Sequence, residues 1–254
     1  GAGVPLSNVT FMPWPSGFNA SFDTIGYIEN VLTDDHSGIE KPAAIFVETV
    51  QAEGGINVAD VQWLRDLRAL CDRHDILLVC DDIQVGCGRT GTFFSFERAG
   101  IVPDMVTLSK SISGSGQPMS LLLLRPELDV FGPGEHNGTF RGNQLAFVGA
   151  AAALEYLDEA GLLEHVRACS DVIDEQIREK ILPLDARITH RGLGMIWGID
   201  YSACGVENPA VRIARACFAR GLVIEVAGRK DEVLKILPPL VTTAQQLRDG
   251  MDII

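Results

Sequence analysis

No apolar run in this chain approaches the ~20 residues that a bilayer crossing needs. No basic stretch followed by a short apolar segment opens the sequence, so no secretory leader is read. Basic residues are few: 21 Lys and Arg face 34 Asp and Glu, for a net charge of −13. That imbalance argues against nucleic acid or an anionic membrane as partner, and an anionic substrate would need a local cationic site. Paired cysteine motifs are missing as well. Cys71, Cys80, Cys87, Cys169, Cys204 and Cys217 show no CxxC spacing and no histidine-rich companion, so neither a disulfide framework nor a metal site is expected. Reduced thiols in a cytoplasmic protein are the expectation instead. There is no internal repeat or low-complexity tract. What remains is ordinary globular material, 46% hydrophobic and 22% charged, long enough for one large domain or a large and a small one. An initial methionine is also lacking, and the opening residues read as a connecting loop, so a part of a longer chain is expected.

Residues 1–22 are rich in Pro, Gly and Asn and predict an irregular connector. Residues 22–32 carry helical spacing, with Ile25, Ile28 and Leu32 on one face and Ser21 as the expected cap. Strand and helix patterns then alternate, with strands at 43–50, 76–83, 105–109 and 120–124 and helices at 58–74 and 93–99. Strands separated by helical crossovers predict an α/β fold whose mainly parallel sheet is covered by helices on both faces. Past Gly142 the pattern changes. Residues 144–159 and 162–181 read as long helices. Short strands follow at 185–190, 195–201, 222–226 and 233–237 around a helix at 209–220, and a last helix begins near Thr243. The expected division is a large domain over 1–143, then a connecting helix and a smaller α+β C-terminal domain over 144–254.

Two segments concentrate the chemistry. ILLVCDDIQVGCGRTG (76–91) and DMVTLSKSISG (104–114) each contain an apolar run that ends in a charged group, where open α/β sheets place their ligands. The first delivers Asp81 and the second Lys110. A lysine partly desolvated at a strand end forms imines readily, and a carboxylate can keep a pyridine nitrogen protonated. The pair is what pyridoxal 5′-phosphate chemistry requires. Taken singly, each residue reads as well in plainer terms: Lys110 as a snorkelling surface lysine, Asp81-Asp82 as a solvated turn or helix cap, Ile83 and Gln84 as packing and surface. Two adjacent acids at a buried strand end are costly unless one meets a cation, and a pyridinium would serve. Glu48 and Glu53 in VETVQAEGG read either as loop charges or as groups that select an amine. HNGTFRGN (136–143) is a tight loop ahead of a helix and also a phosphate candidate through its N–H and hydroxyl donors. GCGRTG (86–91) departs from the Walker pattern and reads as a structural turn. His36, His74, His165 and His190 are expected without paired acids, which sets histidine-based catalysis aside.

Jointly, ETVQAEGG, VCDDIQVGCGRTG, TLSKSISG, HNGTFRGNQLA and LKILPPL, in this order and spacing, resemble the class III aminotransferases among the fold-type I pyridoxal-phosphate enzymes. The resemblance spans most of the chain. It implies a mainly parallel large-domain sheet plus a smaller α+β C-terminal domain, with the N-terminal part of the family fold outside these residues. It also implies roles. Lys110 becomes the Schiff-base lysine and proton carrier, Asp81 the partner of the pyridine nitrogen, Ile83 the residue on the ring face, and Gln84 the neighbour of the ring hydroxyl. Thr139 matches a threonine that reaches the cofactor phosphate of a second subunit, which implies a homodimer or larger homo-oligomer with shared active sites. Amino acid and 2-oxo acid substrates follow from the family.

DDIQ, TFRGN and the run from RPELDVF to PGEHNGTFRGN are most similar to members that make L-2,4-diaminobutyrate from L-glutamate and L-aspartate 4-semialdehyde in ectoine synthesis. Such members are associated with potassium, and no residue here places that ion. The same motifs fit other ω-amine aminotransferases acting on siderophore-type diaminobutyrate, ornithine or 4-aminobutyrate. An aminomutase or decarboxylase on this fold, or a truncated chain unable to hold cofactor, are the readings from other classes. Two features depart from the family. In ornithine-type members the residue matching Glu53 pairs with an arginine before a Pro-Pro, and that place here is Lys235, a point charge without the bidentate fork. Glu53 and Lys235 are therefore expected to bind substrate in a modified way. The family's Ser/Gly phosphate turn, an aromatic over the ring and a carboxylate-binding arginine lie upstream of the first motif.

Overall fold

The computed structural model describes residues 6–15, 21–114 and 116–254. The connector expected over 1–22 lies partly outside these residues, and its described part holds no helix or strand. Helix α1 (Thr24–Thr33) starts behind Asp23, whose Oδ1 accepts the Gly26 N–H at 2.8 Å. Ser21 is not the cap, because it stands too far ahead of the first turn to reach the free N–H groups.

The expected strand at 43–50 divides. β1 (Ala44–Val47) joins the main sheet, while β2 (Val50–Gln51) pairs with β3 (Asn57–Val58) in a separate antiparallel ribbon. Helix α2 (Val61–His74) is capped by Asp60 and buries Leu64, Leu67, Leu70 and Cys71 along one stripe. β4 (Leu77–Asp81) then lies parallel to β1, and β5 (Met105–Leu108) parallel to β4. β6 (Leu121–Leu124) closes the sheet antiparallel to β5, giving the order β1-β4-β5-β6. Three consecutive residues of β4, Leu78, Val79 and Cys80, are buried, as befits a central strand covered on both faces. Between β4 and β5 only Glu97–Ala99 forms a short 3-10 turn, less than the helix expected over 93–99.

Helix α3 (Gln144–Glu159) is capped by Asn143, whose Oδ1 accepts from Leu145 and Ala146. α4 (Leu162–Gln176) continues as a wider π-turn over Ile177–Ile181. A second sheet follows, with β7 (Thr189–Leu193) starting later than expected because residues 185–188 form a turn, closed by the Ile188 N–H on the Asp185 carbonyl at 3.0 Å. Its strands β8 (Ile196–Asp200), β9 (Glu225–Ala227) and β10 (Val233–Ile236) are all antiparallel in the order β7-β8-β10-β9. α5 (Pro209–Ala219) precedes β9, and α6 (Ala244–Ile253) ends the chain behind a Thr243–Gln246 capping box.

Each sheet has its own apolar core, one around Leu64, Leu78 and Leu108, the other around Ile173, Met195, Ile199 and Leu234. A third cluster of Val50, Ile56, Val85, Ile196 and Val233 seats the ribbon between them. The GCGRTG turn is the joint. Buried Arg89 donates to the carbonyls of Met195 (3.1 Å) and Pro238, while its own carbonyl accepts from Met195 N–H at 2.9 Å. Its backbone and side chain are thus spent on packing, as a structural turn requires.

Candidate active site

Parallel pairing decides where the two charged groups go. Asp81 is the last residue of β4 and faces Thr107 of β5 across the ladder. β5 ends one residue later at Leu108, and Lys110 begins a 3-10 turn that runs to Ser113. Both side chains therefore leave neighbouring strands at the same sheet end. Lys110 adopts φ +51°, a left-handed conformation that is uncommon outside glycine and that turns the chain back sharply after the strand. The turn closes on Gly114, at φ +65°, where a Cβ would strike Ala153 and come within 2.8 Å of the Gly149 carbonyl of α3. A glycine is needed there for the lysine turn to lie against that helix.

The two adjacent acids part company. Asp82 is the buried one, and it meets no cation among the described residues. Its carboxylate accepts from the Ser95 N–H at 2.9 Å and from the Ser95 hydroxyl, which in turn accepts from Thr49 at 2.5 Å. Burial pushes the Asp82 carboxyl up, against the pull of those bonds. Asp81 is half-buried, and its Oδ1 accepts the Ile83 N–H at 3.0 Å. Its Oδ2 and the Lys110 ammonium have no hydrogen-bond partner among the described residues. A free amine and a free carboxylate oxygen at adjoining strand ends suit a group that needs one covalent anchor and one acidic hydrogen bond. The donor set fits pyridoxal phosphate.

Lys110 lines a cleft of about 750 Å³ with Glu53, Gln84, Glu225 and Lys235. Glu53 Oε1 accepts from Gln84 Nε2 at 2.9 Å and from Lys235 Nζ at 2.8 Å, so three of the expected residues meet. Lys235 is 2% exposed, and its second carboxylate partner, Glu225, also lies at 2.8 Å. Burial works against its charge, but the two carboxylates prevail and hold its pKa above the ordinary lysine value. The Lys235 and Gln84 bonds draw Glu53 below the usual carboxylate range. Glu48 shifts the other way. Its desolvation, with Asp81 and Glu53 nearby, pushes the carboxyl up in spite of the Ala52 N–H it accepts at 3.2 Å.

Thr139 does not join this group within the chain. It stands exposed in the 132–142 loop beside Phe140, which is 97% exposed. Glu225 was missed from the sequence. The only signal for it was cross-strand: Glu225 and Lys235 are register partners in β9 and β10, a pairing that residue types alone do not announce. The histidine expectation fails in part. His36 lies 3.6 Å from Asp34, two residues earlier, while His74 lies 2.6 Å from Glu29 and His190 2.6 Å from Asp174, partners 45 and 16 residues away that spacing could not reveal. None of these histidines lines the cleft.

Residues 6–254 match the family described as aminotransferase class-III. All of this chain is 52% identical, over 255 residues, to a diaminobutyrate–2-oxoglutarate transaminase of Bordetella parapertussis, of which it covers 58%. A protein of the same description from Streptomyces coelicolor is 49% identical over 256 residues, with 99% of this chain and 59% of that one covered. The chain thus spans less than two thirds of these relatives' length. Among solved structures, an ornithine aminotransferase from Toxoplasma gondii superposes with a TM-score of 0.81 at 29% identity, covering 92% of this chain and 53% of that one. The acetylornithine aminotransferase of Elizabethkingia anophelis gives 0.79 at 31% identity, with 91% and 57% covered.

Proposed function

This chain belongs to the class III aminotransferases and carries part of their fold-type I architecture, and we propose that its protein transfers an amino group from L-glutamate to L-aspartate 4-semialdehyde. The products are 2-oxoglutarate and L-2,4-diaminobutyrate, in the step that feeds ectoine synthesis. The observation that carries this reading is that the unpaired Lys110 amine and the half-free Asp81 carboxylate leave the same ends of two adjoining parallel strands. The names of the relatives support the substrate pair. An ω-amine enzyme acting on ornithine or acetylornithine is the second reading, favoured by the solved structures.

Lys110 and Asp81 would hold pyridoxal phosphate, with Ile83 against its ring, Gln84 beside the ring hydroxyl, and Thr139 of a second copy at its phosphate. When bound, the cofactor supplies an electron sink for the carbon that loses its proton. Lys110 Nζ would hold the cofactor and, when free, would take the proton from the substrate carbon bearing nitrogen. Asp81, fixed through the Ile83 N–H, offers its second oxygen to the ring nitrogen. Glu53 and Lys235 face the far end of the substrate, one suited to an amine and the other to a carboxylate. The exposed position of Thr139 supports a homodimer at least, and the separate cores support two domains, whose boundary we place at 143/144. No helix among the described residues is long and apolar enough to cross a membrane, which is compatible with a cytoplasmic setting.

The test uses full-length protein loaded with pyridoxal phosphate, then reduced with borohydride and mapped by mass spectrometry. Cofactor mass fixed on Lys110, and lost in Lys110→Ala, is the expected result. Fixation elsewhere would remove the basis of the reading. A panel of diaminobutyrate, ornithine, acetylornithine and 4-aminobutyrate with 2-oxoglutarate then separates the two substrate readings.

A further inference from the structure

One cleft that handles both an ω-amine and 2-oxoglutarate must face a cation in one half of the cycle and a dicarboxylate in the other. The cleft that Lys110 lines also holds a buried ammonium between two largely exposed carboxylates. The side chains of Glu53 and Glu225 are 66% and 68% exposed, whereas that of Lys235 is 2% exposed. The two carboxylates differ in how they are held. Glu225 is the direct register partner of Lys235 in the β9–β10 ladder, so its pairing is fixed by backbone hydrogen bonds. Glu53 reaches the same ammonium from the turn between β2 and β3, 182 residues away in sequence.

We propose that Glu225 is the standing counter-ion of Lys235, a positioning residue that lets Glu53 leave so that the ammonium can take a substrate carboxylate. This rests on the transaminase reading above. With Glu225 in place, turning Glu53 toward solvent breaks one of two ion pairs and leaves the buried charge partnered. Without Glu225 the same movement would strand a buried ammonium with no carboxylate, which proteins tolerate poorly. Glu225 thereby sets how readily the cleft changes from accepting an amine to accepting a dicarboxylate.

The test compares Glu225→Gln and Glu53→Gln in full-length, cofactor-loaded protein. Glu225→Gln should raise KM for 2-oxoglutarate by about tenfold, the factor one charge-assisted contact supplies. KM for diaminobutyrate should move by less than about twofold, since an amine does not require Glu53 to leave. Glu53→Gln should raise KM for diaminobutyrate and leave that for 2-oxoglutarate unchanged or lower. Equal effects of Glu225→Gln on both substrates, or none on either, would overturn the proposal. Side-chain ¹⁵N NMR of Lys235 keeps the proposal separate from the substrate assignment. In Glu53→Gln the amine should stay charged in place, and in the double variant it should lose that state. If Glu53→Gln alone neutralises it, Glu225 is not the standing partner, whatever the substrates prove to be.

Discussion

At the residue scale, neighbouring acids of one strand end have opposite duties, and their partners tell them apart. Asp82 is tied to Ser95 and through it to Thr49, so its loss should be felt in folding. Asp82→Ala removes acceptors from a buried N–H and hydroxyl, and should cost about 2–3 kcal/mol in denaturant melts. Asp81→Asn keeps the Ile83 N–H bond through its amide oxygen but gives up the anion. It should melt within about 0.5 kcal/mol of the parent, as changes outside packed networks do, yet lose transamination at least about 100-fold. Equal melting losses in the two variants would contradict this division. Asp104 offers a pH-dependent case. Burial raises its carboxyl pKa, but the Leu78 N–H, Arg68 and Arg125 more than reverse that and leave it lowered. A lowered carboxylate stabilises the fold above its unfolded pKa of about 3.9, and the benefit is lost as pH falls through the folded value. Asp104→Asn should therefore destabilise by about 3 kcal/mol at pH 7. The gap to the parent should narrow as pH falls below the unfolded value and on through the lower folded one, where the parent carboxylate takes up its proton.

At the element scale, the parallel strands and their charged ends were legible because a central strand writes its burial as an unbroken apolar run. ILLVC leads straight to Asp81, and MVTL almost directly to Lys110, so the heart of the site could be read off two motifs. The ribbon at Val50 and Val58 was not legible. It splits a stretch that reads as one strand at Glu48-Thr49, and its partner is set by the seat between the two cores rather than by local pattern. Glu225 stayed hidden for a related reason, since cross-strand register is a long-range fact. Turn chemistry yields a sharper test. Gly194, at φ +58° in the β7–β8 hairpin, packs directly on the Arg89–Thr90 backbone, where an added Cβ would strike the Arg89 carbonyl oxygen and come within 2.7 Å of Thr90 Cα. Backbone cannot move aside as a side-chain tip can. Gly194→Ala should cost at least about 2 kcal/mol, from the left-handed conformation and the overlap together. Thr243→Ala, which opens the α6 capping box, should cost about 1 kcal/mol. A reversed order of these two in thermal melts would mean that the joint between the sheets is looser than its contacts indicate.

At the scale of the whole molecule, the question is what lies against α3. This helix buries only Ala146, Ala150 and Leu157, while Leu145 and Val148 are 71% and 70% exposed. Just before it, Val130 and Phe140 are 80% and 97% exposed, on the same stretch of chain as Thr139. Large exposed apolar side chains gathered on one stretch of chain suit a contact surface better than a solvated one. The net charge of −13 opposes casual association, so a specific apolar face is needed to bring two copies together. The proposed homodimer would use this face and carry Thr139 to the cofactor phosphate of the neighbouring subunit. Leu145→Glu with Val148→Glu in the full-length protein should then shift sedimentation from dimer to monomer at micromolar concentration. Cofactor retention should fall with it, because each site would lose the threonine its neighbour supplies. Thr139→Ala should weaken retention while leaving the dimer intact. If the glutamate pair leaves both the sedimentation coefficient and the bound cofactor unchanged, α3 faces something other than a second copy, and the assignment of Thr139 to a partner's phosphate goes with it.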